Sequence, residues 1–180
     1  MEIIKNERKY TGFLKLNELE IELPNGETIS REVIIKKNSV CIVPVTEEGE
    51  IILTKQPRAG RGVVDSVEIP AGLVDEGEDF LTTAKRELLE ETGCVAEEFI
   101  ELMTFYSDPA CCTSETHLYL ALNAKKIQEQ KLDFDEYLTV FKLPILEVYD
   151  YLEAGHIKDV NSIIGLLKSK DIIFKKYIEN

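Results

Sequence analysis

Tryptophan is absent from this chain, so any stacking on a flat ligand falls to its seven phenylalanines and seven tyrosines. Positive charge is scarce. Against 34 Asp and Glu there are 21 Lys and Arg, a formal net charge of −13. A nucleic-acid binder carries a basic footprint, so that class is excluded, and an anionic substrate would need a metal or placed arginines. No apolar run approaches the ~18 residues of a membrane span, and a membrane partner is not expected. Residues 1–10 are charged and lack an apolar signal core, so no secretory signal is expected. Cysteine is sparse. Cys41, Cys94, Cys111 and Cys112 lack the C-x-x-C spacing of a zinc site, which fits a reduced, cytoplasmic protein. Cys41 and Cys94 sit in apolar contexts and read as small core residues, while the adjacent Cys111 and Cys112 leave a redox role open. Of the two histidines, His117 begins a strand pattern and His156 follows a helix end; both read as bystanders.

What remains is a soluble globular composition, 44% hydrophobic and 31% charged, at a length of 180 residues that suits one domain with a small appended element. Residues 10–23 alternate toward their end, Pro24-Asn25-Gly26 is a turn signal, and residues 28–36 read as the returning strand. A lone hairpin is marginal in water, so this one should pack on the domain or on a second chain. Tyr10 and Phe13 within it read as core aromatics, with stacking on a flat ligand as the alternative. Strand patterns follow at 39–45, 50–55, 65–69, 99–106, 117–122 and 137–143. Helices are expected at about 79–92, at 145–153 after Pro144, and from 160 to 168 with a continuation toward 177. The pattern is α+β, with an N-terminal element at 1–38 and the main domain at 39–180.

The chemistry concentrates between Glu68 and Cys94. A loop with Pro70, Gly72 and Gly77 leads into a helix bearing Arg86, Glu87, Glu90 and Glu91, which Thr92-Gly93 stops. Positions 87, 90 and 91 fall at i, i+3 and i+4, so three carboxylates share a helix face. Like charges so placed repel by a few tenths of a kcal/mol per pair, so helix stability does not account for them. A hard divalent cation does, because it takes oxygen ligands and binds through carboxylates and substrate phosphates.

Read from Gly72, the stretch is G-x5-E-x7-R-E-L-x-E-E-x-G-C. It resembles the Nudix box, the signature of the Nudix hydrolases, with Gly72, Glu78, Arg86, Glu87, Glu90, Glu91 and Gly93 all in place and Cys94 where an aliphatic residue is usual. At roughly 7% usage per residue type, seven coincidences have odds of roughly 10⁻⁸. The resemblance implies a Nudix fold, a mixed β-sheet sandwiched between helices with the N-terminal hairpin as an extension. It also implies hydrolysis of a nucleoside diphosphate linked to another group, with Mg²⁺ (or Mn²⁺ in its place) held by Glu87, Glu90, Glu91 and the backbone carbonyl of Ala71. Arg86 paired with Glu78 is then structural support for the catalytic helix. The catalytic base in the family often lies on a later loop, where Glu115 is the candidate and a solvent-facing loop acid the alternative.

Pro109, the Y-T-G-F start, the L-P-N-G-E-T-I-S-R-E-V hairpin, Q-P-R at 56–58, E-I-P-A-G at 68–72 and the ending at 155–166 are similar to ADP-ribose pyrophosphatases. That implies a homodimer whose N-terminal hairpin helps build the nucleoside pocket, with Arg31, Glu32, Arg58, Glu68 and Pro109 at substrate-contacting positions. The chain departs from that pattern at Ala110, where glycine is usual, and in the spacing of Glu115 from Pro109. The expected reaction is cleavage of ADP-ribose or a related sugar nucleotide to a nucleoside monophosphate and a sugar phosphate. GDP-mannose or ADP-glucose hydrolysis, or a non-catalytic sugar-nucleotide sensor, are the alternatives. A plain acidic Ca²⁺-binding module is a weaker reading still, since the sequence has no D-x-[DN]-x-[DN]-G loop.

Overall fold

The computed structural model describes residues 1–134 and 136–179. By contacts the chain divides into two compact units, Met1–Asn38 with Phe105–Thr116, and Ser39–Thr104 with the chain from His117 onward.

The first unit is a three-stranded antiparallel sheet, β1 (Glu2–Thr11), β2 (Lys15–Glu22) and β3 (Thr28–Ile35), in that order. The expected hairpin is β2–β3, closed by a turn in which the Gly26 amide donates to the Leu23 carbonyl at 2.9 Å. Strand β1 is an addition to the expected pair. It was hidden because all ten of its residues are exposed and charge interrupts its alternation, so no half-buried period exists to read. Tyr10 and Phe13 correct the expectation of core aromatics: they are 59% and 99% exposed. A sheet this small has too little chain to cover both of its faces. The segment Phe105–Thr116 joins this unit through β3, where the Ile34 amide donates to the Cys111 carbonyl at 2.7 Å and the Thr113 amide to the Ile34 carbonyl at 3.1 Å.

The second unit holds a sheet ordered β11-β5-β4-β10-β8, with β6 beside β5, β7 beside β4 and β9 beside β10. These strands are β4 (Ser39–Thr46), β5 (Glu50–Arg58), β6 (Val63–Glu68), β7 (Ala71–Leu73), β8 (Cys94–Val95), β9 (Glu98–Phe105), β10 (Thr116–Lys126) and β11 (Thr139–Pro144). The helices are α1 (Phe80–Thr92), α2 (Ile145–Glu153) and α3 (Val160–Tyr177). The α+β expectation therefore holds: the described residues form a mixed sheet with three α-helices. The short β7 and β8 were not read from sequence; at three and two residues they are too brief to show a period.

Strand β4 is buried on both faces, which explains its unbroken V-C-I-V-P-V run. Alternate residues Val40 and Ile42 pack with Ala84 and Leu88 of α1 in one cluster. On α3, an added Cβ at Gly165 would meet Val43 and Leu118 at 3.1 and 3.2 Å, so this helix lies close on the sheet. Ile69 is buried and its amide donates to Ser162 Oγ of α3 at 2.9 Å, which fixes the chain just before the glycine loop.

Candidate functional site

Helix α1 begins at Asp79, whose carboxylate accepts from the Thr82 amide at 3.0 Å, and ends at Gly93 with φ of 72°. Its last carbonyls are taken up by the following segment. The Gln130 side chain donates to the Glu91 carbonyl at 2.6 Å and the Lys131 amide to the Glu90 carbonyl at 2.8 Å. Ala84 and Leu88 face the core, which turns Arg86, Glu87, Glu90 and Glu91 toward β7 and the loop after it.

Two of the three helix glutamates are buried, Glu87 at 8% and Glu91 at 3% exposure. Burial pushes the Glu87 carboxyl up to about 6 against the pull of Arg86, and the Glu91 carboxyl up to about 8 against the hydrogen bond from Ala71. The Ala71 amide donates to Glu91 Oε2 at 3.0 Å, which brings this peptide onto the helix face. Gly72 lies flat against Glu87: a Cβ there would sit 1.9 Å from the carboxyl carbon. Only glycine allows that approach.

Arg86 gathers the rest. Its Nη1 donates to Glu87 Oε1 at 2.7 Å and Glu90 Oε2 at 2.9 Å, its Nε to Glu78 Oε1 at 3.1 Å, and its Nη2 to Glu78 Oε2 at 2.9 Å and the Leu73 carbonyl at 3.1 Å. Glu78 is held below the usual carboxylate range, chiefly by Arg86, and also accepts from Thr83 Oγ1 at 2.7 Å. One guanidinium thus hydrogen-bonds three carboxylates and stands 3.9 Å from a fourth, Asp75, while Glu91 takes a backbone amide instead. The site keeps a surplus of negative charge. The oxygens of Glu87, Glu90 and Glu91 are not drawn into one tight set, since Arg86 takes two of these side chains and Ala71 the third. All the donors are hard oxygens on a partly desolvated face, and buried carboxyls pushed upward favour an added cation; these residues fit a divalent metal such as Mg²⁺.

Beside this face, Glu68 is 3% exposed and forms a two-pronged ion pair with Arg58, whose Nε donates to Oε1 at 2.8 Å and whose Nη2 donates to Oε2. Gln56 Nε2 adds a bond to Glu68 at 3.3 Å. Both strands of the β5–β6 pair contribute, and the pairing holds Arg58 on its protonated side. A groove of ≈ 980 Å³ opens there, lined among others by Arg58, Glu68, Asp65, Tyr151, His156 and Asp159. Sequence reasoning missed most of this groove. His156 was read as a bystander and Asp159 went unremarked; their only signal was membership of the G-H-I-K-D-V ending. His117 stacks on Phe80 with ring centroids 3.4 Å apart.

The remaining expected site residues lie in the other unit. Arg31 and Glu32 are exposed on β3, opposite Leu19 and Glu18 of β2. Pro109 and Glu115 lie on the segment tied to β3, where the Glu115 amide donates to Asn38 Oδ1 at 3.1 Å. Cys111 donates to Asp108 Oδ2 at 2.8 Å, which pushes its thiol up to about 11 and leaves it a poor nucleophile at neutral pH. Cys41 and Cys94 are buried, as read.

The NUDIX domain profile matches residues 35–160. A methanol dehydrogenase activator from Bacillus methanolicus is 36% identical over 166 residues, 91% of this chain and 89% of that protein. An ADP-ribose pyrophosphatase from Bacillus subtilis (strain 168) is 33% identical over 150 residues, 82% of this chain and 80% of that protein. The crystal structure of an ADP compounds hydrolase superposes with a TM-score of 0.84 at 21% identity, covering 97% of this chain and 95% of its own, which speaks to the fold. With the glutamate helix, its glycine loop and the supporting arginine in place, the chain belongs to the Nudix hydrolases and is of the ADP-ribose pyrophosphatase-like kind.

Proposed function

We propose that the protein hydrolyses the pyrophosphate bond of ADP-ribose or a closely related nucleoside diphosphate sugar, with Mg²⁺ as its ion and Mn²⁺ as a substitute. The observation that carries this reading is the α1 face: Glu87 and Glu91 buried together, Glu90 beside them, and Gly72 pressed onto Glu87. A bound divalent ion supplies charge neutralisation on the phosphate oxygens and an acidified water. Glu87, Glu90 and Glu91, with the Ala71 carbonyl, would hold that ion. Arg86 positions Glu87 and Glu90 and is itself held by Glu78. Glu115 accepts the proton of the attacking water, and the leaving phosphate departs in line.

The substrate assignment follows from where cationic and acidic groups stand together. In a chain of net charge −13, an anionic sugar nucleotide needs a fixed donor, and the half-exposed Arg58 is oriented by the buried Glu68 at the edge of the groove. Arg31, Glu32 and Pro109 complete the substrate contacts in this reading. A homodimer is part of it too, with residues 1–38 as the dimerisation element. Ile3, Ile4, Tyr10 and Phe13 of the first unit are each exposed, and such apolar side chains are of the kind that a second subunit covers.

A panel of ADP-ribose, ADP-glucose and GDP-mannose, each with Mg²⁺ and Mn²⁺, tests the assignment through kcat/KM. ADP-ribose is expected to lead; a higher value for GDP-mannose would move the base and sugar preference, and tight binding without turnover of any substrate would favour the sensor alternative.

A further inference from the structure

We propose that Asp108, Cys111 and Cys112 form a binding site for a thiophilic divalent ion of the zinc class, separate from the glutamate face of α1. The carboxylate and the two thiols place one ligand atom each within 4.8 Å of one another, and they are the only such set among the described residues. A single turn brings them together: the Cys112 amide donates to the Asp108 carbonyl at 2.9 Å and the Cys111 amide to the same carbonyl at 3.3 Å. Side chains at i, i+3 and i+4 of such a turn point the same way.

The backbone of this turn is held from outside. Ile34 of β3 donates to the Cys111 carbonyl and accepts from the Thr113 amide, so both flanks of Cys112 are anchored to a strand. A site whose ligands are fixed before the ion arrives loses less on binding.

The distances suit a metal better than a disulfide. The two sulfurs are 4.0 Å apart. Two thiolates about 2.3 Å from a tetrahedral zinc stand about 3.8 Å from each other, whereas a disulfide needs about 2.05 Å and an oxidant. The Cys111 sulfur lies 2.8 Å from Asp108 Oδ2 with the thiol proton between them. Replacing that proton by an ion opens the separation to about 3.5 Å, a small side-chain adjustment. In the binding step the ion takes two thiolates and the carboxylate, and the two thiol protons leave to solvent; no electrons move. The fourth position is open to water, since Asp108 is exposed and the cysteines partly so. Soft sulfur ligands select against Mg²⁺, so the two sites sort ions by class.

The test titrates the reduced, full-length protein with Co²⁺ or Cd²⁺ in excess Mg²⁺, reading thiolate-to-metal charge-transfer absorbance and proton release. One equivalent is expected to give the band and release about two protons. C111S and C112S should each abolish the band, and D108N should weaken binding by about tenfold or more. No band in the wild-type protein overturns the site, and so does a band that survives the C111S/C112S double substitution. Proton release from the wild-type protein is read without any variant. None of these readouts uses hydrolysis, so they stand apart from the proposed catalytic reading.

Discussion

Among the glycines, Gly72 leaves the least room for a side chain, and what it would strike is a proposed metal ligand. A Cβ placed 1.9 Å from the Glu87 carboxyl carbon forces that side chain off its position or pushes β7 from the helix. Gly72→Ala is therefore expected to cost about 1–3 kcal/mol of stability and to reduce turnover more than its loss of folded protein explains. Thermal melting and kcat on the same sample check this; unchanged kcat would separate Gly72 from the chemistry. Arg86 belongs to the same scale. Lysine keeps the charge but cannot reach Glu78, Glu87 and Glu90 at once, so Arg86→Lys should lower kcat and raise the Mg²⁺ concentration needed for half-maximal rate.

The buried glutamates also set a pH dependence. Folding raises Glu91 from 4.5 to about 8 and Glu87 from 4.5 to about 6, so the folded state binds these protons more strongly than the unfolded one. Their stabilising contribution is complete below pH 4.5 and is lost as pH rises, through about 6 for Glu87 and about 8 for Glu91. Metal-free protein should melt at lower temperature as pH climbs through that window, and Glu91→Gln should flatten the slope. Melting curves at a series of pH values decide it; a slope unaltered in the variant would place the titration elsewhere.

At the scale of elements, α1 is a rigid carrier whose ends are capped by different means. Removing the Asp79 carboxylate takes away acceptors for both the Thr82 amide and the Thr82 hydroxyl. Asp79→Ala should cost about 1 kcal/mol in denaturant unfolding while leaving kcat close to wild type. A large fall in kcat would show that the N-terminal turn moves the site. This helix was legible in the sequence because Phe80, Ala84 and Leu88 keep the helical period and Gly93 sits where a left-handed residue ends it. Its chemistry was legible because seven box positions carry the required residue types at fixed spacing. The strand β1 was not legible, since a fully exposed strand has no buried face to imprint a period. Nor was the groove between the β5–β6 pair and the start of α3, whose lining, from Lys55 to Val160, is drawn from residues more than a hundred positions apart. The Arg58–Glu68 pair illustrates the limit: both residues were singled out, but the β5–β6 register sets Glu68 opposite Thr54 and Arg58 opposite Val63, and it is the long Arg58 side chain that reaches along the pair to Glu68.

At the scale of the whole molecule, the first unit leaves Ile3, Ile4, Tyr10 and Phe13 exposed, which is the physical basis of the dimer proposal. Sedimentation of the intact chain should give a dimer, and Ile3→Lys with Ile4→Lys should shift it toward monomer. A monomeric wild-type protein with full activity would contradict the proposal. The central claim remains that the carboxylate face of α1 performs metal-dependent cleavage of a pyrophosphate. Its most direct measurement is release of AMP from ADP-ribose by wild-type and Glu91→Gln protein across a Mg²⁺ titration. The account predicts no release without a divalent ion and a fall of at least about 100-fold in kcat/KM for the variant at any Mg²⁺ concentration. Undiminished release by Glu91→Gln, or by metal-stripped wild type, would contradict it.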